Sequence, residues 1–312
     1  MNKKIAISIS IIAVLLLYLV VTNIRHSGDM PDLPEMAAGA DEIILTGSGG
    51  VVTLIKKDGK WTTGENGYPA DTRKVGEIEK RFREVRLTDL ISSKGYYARY
   101  DLTPDKYGEV IIKSKGAILR KFKIGKKSPT NRHTFIRIGD RPEIYLAEGT
   151  FDFVLNKTPE DFREREMVKI PPENVSGITI QYRGRTFDFF RSPIKKAGDA
   201  SGQKSGTAWG DWSCRGYEGV TLDNARVNAL IGVLNPLRAS SFPEMKNEVM
   251  PPKVCTVKVT TTRKESLLTL YNKGDEYIAT TSESPYVFGV AKWGIEKLLI
   301  TGIDSFKAPA KK

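Results

Sequence analysis

The chain predicts an α+β fold: two tandem repeats of one topology (three strands, helix, four strands, helix), placed after an N-terminal transmembrane helix. A matched pair of capped apolar stripes, a long apolar run near the start, and alternating segments punctuated by turn residues carry this expectation. The first stripe lies between Trp61 and Leu90, the second between Trp212 and Phe242. In each, a Trp in a strand-like run is followed by an Asp of N-cap type, Asp71 or Asp223. Counted from that Asp, positions +4, +7, +11 and +14 are Val75, Ile78, Phe82 and Val85 in one copy. In the other they are Val227, Leu230, Leu234 and Leu237. This spacing gathers the apolar side chains on one helix face. At +19 both copies are apolar again, with Leu90 and Phe242. Matching caps with matching stripes imply an internal duplication.

The apolar run is Ile5 to Ile24, interrupted mainly by Ser8, Ser10, Thr22 and Asn23. As a helix it would span about 30 Å, the hydrocarbon thickness of a bilayer. Lys3 and Lys4 precede it, and Asp29, Asp32 and Glu35 come soon after it. That bias places the N-terminus in the cytoplasm and the bulk of the chain outside a bacterial inner membrane. Residues 1–25 thus read as an uncleaved signal anchor. A cleaved signal peptide is the rival, but the run is long for one and the small-residue stretch Ala37–Ala40 lies far from its end. Residues 26–40, with two Pro and little periodicity, read as a tether.

The first repeat covers 41–170. Ile43–Leu45 and Val51–Ile55 are strands about Gly47-Ser48-Gly49-Gly50, and Asp58-Gly59 turns the chain into the Trp61 strand. The helix 71–86 follows, then Val110–Ile112 and Ile118–Ile124 about Lys115-Gly116, and Phe135–Ile138 and Ile144–Leu146 about Gly139-Asp140. A shorter helix carries Phe151, Val154, Leu155 and Phe162. The boundary lies near Lys169-Ile170-Pro171-Pro172, and the second repeat, 171–308, restates this order. Its strands are Ile178–Tyr182, Thr186–Phe190, the Trp212 strand, Val254–Val259, Leu267–Tyr271, Tyr277–Thr280 and Tyr286–Val290. Its helix spans 223–235, and Ile295, Leu298, Leu299 and Phe306 repeat the spacing of the earlier closing helix. The Gly/Ser/Lys-rich stretch 192–210 replaces a tight turn and predicts a mobile loop.

Net charge is +12, with two His and two Cys. A basic chain favours acidic surfaces, although the charges are spread along both halves. The run Arg120, Lys121, Lys123, Lys126, Lys127, Arg132 is the candidate contact for an anionic lipid or an acidic envelope polymer. The polar face of an edge strand would look the same, because Lys discourages edge pairing. Nucleic acid is not an expected partner outside the cytoplasm. Cys214 and Cys255 are two buried thiols, or one bridge if their strands are neighbours in an oxidising compartment. Without C-x-x-C or paired His they are not a zinc site.

No catalytic constellation emerges, and no cofactor or metal is expected. His26 and His133 lack triad partners. Gly125-Lys126-Lys127-Ser128 lacks the first Gly of a P-loop. Ser192-x-x-Lys195 lacks its S-D-N and K-T-G companions. Asp101, Asp105 and Glu109 have no defined pairing that would suit glycoside hydrolysis.

Several motifs remain: Trp then a capped helix, Tyr100-Asp101-Leu102-Thr103-Pro104, Lys123-Ile124-Gly125, and Ile144-Tyr145-Leu146. From about Asp41 onward the chain resembles the bacterial family labelled domain of unknown function 4340. The usual Tyr-Gly-Leu of that family reads Tyr-Asp-Leu here, which puts that turn in question. The resemblance implies a membrane-anchored, extracytoplasmic, duplicated protein associated with ABC-2-type transporters of the gliding-motility auxiliary kind. It supplies no catalytic residues. The expectation is a non-enzymatic accessory or scaffold protein of an ABC-2-type complex, with permease and ATPase as partners. The alternative is an envelope module binding an anionic polymer (peptidoglycan or polysaccharide) or a lipid surface. A hydrolase with a concealed site comes third.

Overall fold

Segments of alternating polarity joined by tight turns pair with their chain neighbours in antiparallel ladders. Such ladders dominate the computed structural model, which describes residues 11–18, 30–151, 153, 155–194, 208–245 and 249–309. The chain divides into two units, Met1–Glu164 and Arg165–Lys312.

The first unit begins with helix α1 (11–18), whose side chains are exposed. Its sheet comprises β1 (Glu42–Gly47), β2 (Gly50–Lys57), β3 (Lys60–Thr63), β4 (Tyr68–Pro69), β5 (Leu87–Ser92), β6 (Gly108–Ser114), β7 (Ala117–Lys127), β8 (His133–Ile138) and β9 (Ile144–Glu148). The strands lie in the order β4-β3-β2-β1-β6-β7-β8-β9-β5. Helix α2 (Thr72–Arg83) buries Val75, Ile78 and Phe82. These join Ile43, Leu45, Leu54, Val110, Ile112, Phe122 and Ile124 in one core. The Asp71 carboxylate accepts from the backbone N–H groups of Arg73 and Lys74, at 3.0 and 3.3 Å. That cap contributes about 1 kcal/mol, whereas each buried apolar side chain contributes about 1.5–3 kcal/mol. The cap therefore sets where α2 starts, and burial sets where it lies.

The second unit holds β10 (Glu166–Val168), β11 (Val175–Tyr182), β12 (Arg185–Phe190), β13 (Ser213–Cys214), β14 (Leu237–Arg238), β15 (Lys253–Thr261), β16 (Glu265–Lys273), β17 (Glu276–Thr281) and β18 (Ser284–Val290). Its main sheet runs β13-β12-β11-β15-β16-β17-β18, and β10 pairs with β14 apart from it. Helix α3 (Asn224–Val233) is capped by Asp223 and buries Val227, Leu230 and Ile231. One short turn, α4 (Lys292–Ile295), precedes the C-terminal segment.

The expected α+β class is corrected by these elements, since both units are mainly antiparallel β with few helices. Each predicted stripe ends early as a helix. Val85 lies past the end of α2, and Leu237 already belongs to β14. An unpredicted strand follows each helix, β5 on β9 and β14 on β10. Among the described residues the predicted closing helices are also absent as such. Around Phe162 the chain makes a 3-10 turn, Pro159–Phe162, because Pro159 disfavours helix at Thr158. Around Ile295 to Phe306 it makes α4 and 3-10 turns either side of Gly302. The transmembrane helix expected at 5–24 lies largely outside the described residues. Of that run only 11–18 is described, and no helix among the described residues is long and apolar enough to cross a membrane. Nor are residues 30–40 a free tether, since Met36 and Ala40 are buried in the first core. Of the predicted mobile loop, 195–207 lies outside the described residues. Its ends meet at Ile194 and Ala208, where an N–H donates to a carbonyl at 2.8 Å.

One correspondence between the sheets is plain. Read from β3, the order β3-β2-β1-β6-β7-β8-β9 is repeated by β13-β12-β11-β15-β16-β17-β18. The closing segments are also used alike. The N–H of Asp71 donates to Phe162 O, and that of Asp223 to Phe306 O, both at 2.8 Å. Each helix cap is thus stitched to the chain's return.

Candidate functional site

The basic run does not form one surface. Strand β7 lies between β6 and β8, so it is no edge strand. Its alternation turns Arg120, Phe122 and Ile124 one way and Lys121 and Lys123 the other. Arg120 is buried, and its guanidinium donates to the carbonyls of Leu119 and Pro34. Lys121 and Lys123 both donate to Asp140, at 3.1 and 2.8 Å. Lys126, Lys127 and Arg132 are exposed. Arg132 borders a groove of about 1260 Å³ beside the C-terminal half of α2, where Lys80, Arg81 and Arg86 are interspersed with Glu77, Glu84 and Glu148. Mixed signs give that groove no preference for anions.

Asp140 is held at a pKa of about 2, first by the bond from Lys123 and then by that from Lys121. Its folded value lies below the ordinary 3.8, so its contribution is present above that pH and lost as pH falls through about 2. Solvent screening keeps that contribution small. Carboxyl NMR should show Asp140 titrating near pH 2 in the native chain and close to its ordinary value in the Lys121→Gln, Lys123→Gln variant. A native midpoint at the ordinary value would refute the bonding.

The quoted motifs converge elsewhere on the same unit. Leu102 is fully buried with Phe135 and Ile144, and Tyr97, Tyr100 and Leu146 pack around them. Gly125 makes this possible. A Cβ there would lie 2.3 Å from the Tyr100 carbonyl oxygen and 2.9 Å from Leu102 Cγ. The segment from Tyr100 to Leu102 therefore sits directly on the β7 backbone. Asp101 takes φ 54, a left-handed conformation that Gly adopts freely and Asp tolerates. The turn survives the Tyr-Asp-Leu reading for that reason.

This packing presents a loop of tyrosines. The Tyr97 hydroxyl donates to Pro142 O at 3.2 Å, and the Arg137 guanidinium stacks 4.0 Å from its ring centroid. Arg137 is itself buried, donating from Nε and Nη2 to Arg141 O at 3.1 and 2.9 Å. Tyr100 packs on Phe135 with centroids 4.6 Å apart. Tyr96 has no such cover, being 73% exposed at φ 71. A bulky residue in that region costs about 1–2 kcal/mol, so the fold holds this ring outward against a local preference. Tyr96, Tyr97, Arg99, Tyr100 and Thr103 border a depression of about 520 Å³. The Thr103 hydroxyl holds the Asp105 carboxyl below the usual carboxylate range.

A family model, domain of unknown function (DUF4340), matches residues 61–254. The chain belongs to the DUF4340 family. No curated protein and no solved structure matches it. In this DUF4340 chain the two thiols are free and buried. Their strands, β13 and β15, are separated by β12 and β11, so the bridge considered from sequence has no neighbouring strands to join. Burial pushes the Cys255 thiol up to about 12. Among the described residues no three of His, Cys, Asp and Glu gather as a metal site requires.

The tyrosine loop was not singled out from sequence. Tyr96-Tyr97-Ala98-Arg99-Tyr100 has no strand or helix period. The available signal was three Tyr and an Arg in five residues after Lys94-Gly95.

Proposed function

We propose that this DUF4340 chain is a non-enzymatic accessory protein that acts outside the cytoplasm and docks a protein partner through the tyrosine loop. The observation that carries the reading is Tyr96, held outward beside the immobilised Tyr97 and Tyr100. Tyr side chains lose little entropy on docking, and Tyr and Arg dominate interface energies. The apolar run from Ile5 to Ile24, with Lys3 and Lys4 before it, supports attachment at the bacterial cell membrane. Family resemblance supports an ABC-2-type transport complex as the partner, with the permease as the contacting subunit and the ATPase captured along with it.

Affinity capture from detergent-solubilised membranes should recover permease and ATPase together. Tyr96→Ala should reduce that recovery at least tenfold while leaving circular dichroism unchanged, because an interface anchor contributes about 2 kcal/mol or more. Equal recovery with and without Tyr96 would defeat the docking role. A C-terminal reporter active only in the cytosol would defeat the location.

A further inference from the structure

In the second unit, the β11–β12 hairpin tip and residues around Lys253 and Asn272 border a depression of about 610 Å³. Its lining includes Arg183, Arg185 and Lys253, and contains no Asp or Glu. Several other cations of the unit have carboxylate partners. Lys258 meets Glu265 at 3.2 Å, Arg215 meets Asp188 at 3.4 Å, and Arg226 meets Asp223 at 3.2 Å. Among the described residues, no carboxylate lies within 4.0 Å of Arg183, Arg185 or Lys253.

Two of the three cations are also positioned. Arg185 donates from Nη1 to Thr301 O, which leaves most of its five N–H donors available. The Arg183 guanidinium lies 5.3 Å from the Tyr182 ring centroid. Cys255 lines the depression too, and its buried thiol stays protonated and adds no negative charge. Like charges gathered without counter-charges repel one another, and an oxyanion relieves that repulsion. Guanidinium forks match carboxylate and phosphate geometry. Gln181, Asn272 and Tyr277 add uncharged hydrogen-bonding groups suited to hydroxyls. The volume falls in the range of small-ligand sites, about 300–1,000 Å³.

We propose that this depression binds an acidic sugar unit. Arg183, Arg185 and Lys253 hold its carboxylate or phosphate, and Gln181, Asn272 and Tyr277 hold its hydroxyls. The site is independent of the tyrosine loop, so either assignment can fail alone.

The test is titration calorimetry on the full chain held in detergent-free nanodiscs of neutral lipid, with four probes. These are polygalacturonate, neutral dextran, polyglutamate and phosphatidylglycerol vesicles. Polygalacturonate should bind with an affinity that falls as salt rises. Dextran should not bind, and polyglutamate should bind at least tenfold more weakly. Arg183→Gln with Lys253→Gln should weaken polygalacturonate at least tenfold. Arg185 is kept because it also ties down Thr301. Lys126→Gln with Arg132→Gln, in the first unit, should leave binding unchanged. Equal loss in both double variants would mean diffuse charge attraction and would overturn the site. Equal affinity for polyglutamate would overturn the sugar assignment. Vesicle binding through Arg183 and Lys253, without polygalacturonate binding, would replace it with a lipid surface.

Discussion

Phe82→Ala should lower the unfolding free energy of the first unit by about 3–5 kcal/mol. Phe82 is fully buried, with ring centroids 5.9 Å from Phe122, 5.3 Å from Phe151 and 6.2 Å from Phe153. It joins the last turn of α2 to the middle of the sheet and to the segment leaving β9. Truncation removes apolar contact on all three sides. The neighbours cannot close the gap, since Phe122 is fixed by the β7 ladder and Phe151 by the N–H it donates to Thr134 Oγ1. Val75→Ala on the same stripe removes fewer atoms and should cost about 2 kcal/mol. Urea unfolding followed by circular dichroism measures both. A loss under about 1 kcal/mol for Phe82→Ala would show that the aromatic cluster does not hold the unit together.

Gly125→Ala should destabilise by about 2–3 kcal/mol, although alanine is ordinarily benign in a strand. The added carbon would meet the Tyr100 carbonyl oxygen at 2.3 Å, and that oxygen belongs to backbone. The loop must lift from β7 to accommodate it, which uncovers Leu102 and releases Tyr100 from Phe135. Partner capture should therefore fall together with stability. Gly76→Ala is the control. It lies in α2 with open space around it, and should be neutral or stabilising by up to about 1 kcal/mol. If Gly125→Ala proved as mild as Gly76→Ala, the loop would not rest on the strand as described.

These expectations show which parts of the structure were legible beforehand. The stripes Val75, Ile78, Phe82 and Val227, Leu230 are buried, and Asp71 and Asp223 cap their helices, because both properties depend on residues a few positions apart. Helix length was less legible. The apolar residues at Val85 and Leu237 continue the helical count, yet the chain leaves the helix to pair with β9 and β10. A ladder partner distant in sequence outweighs a weak local propensity. The closing segments show the same limit. Phe162 and Phe306 were placed at matching positions, and both are buried, but in 3-10 turns.

The sites were harder to read than the fold. The alternation in β7 showed that Lys121 and Lys123 share a face, but their neutralising partner, Asp140, comes from the turn between β8 and β9. Arg183 and Arg185 read only as turn residues, and Lys253 as a flank of a strand. They border one depression through the register of β11 with β12 and β15.

From residue order alone this chain settles which apolar side chains of α2 and α3 go inside, where those two helices begin, and that two stretches share one pattern. Those are matters of short-range spacing and of transfer from water. Which cations are cancelled and which stand open, and whether a tyrosine is packed or presented, follow from strand register. Register brings together residues far apart in the chain, so only the folded sheets decide them.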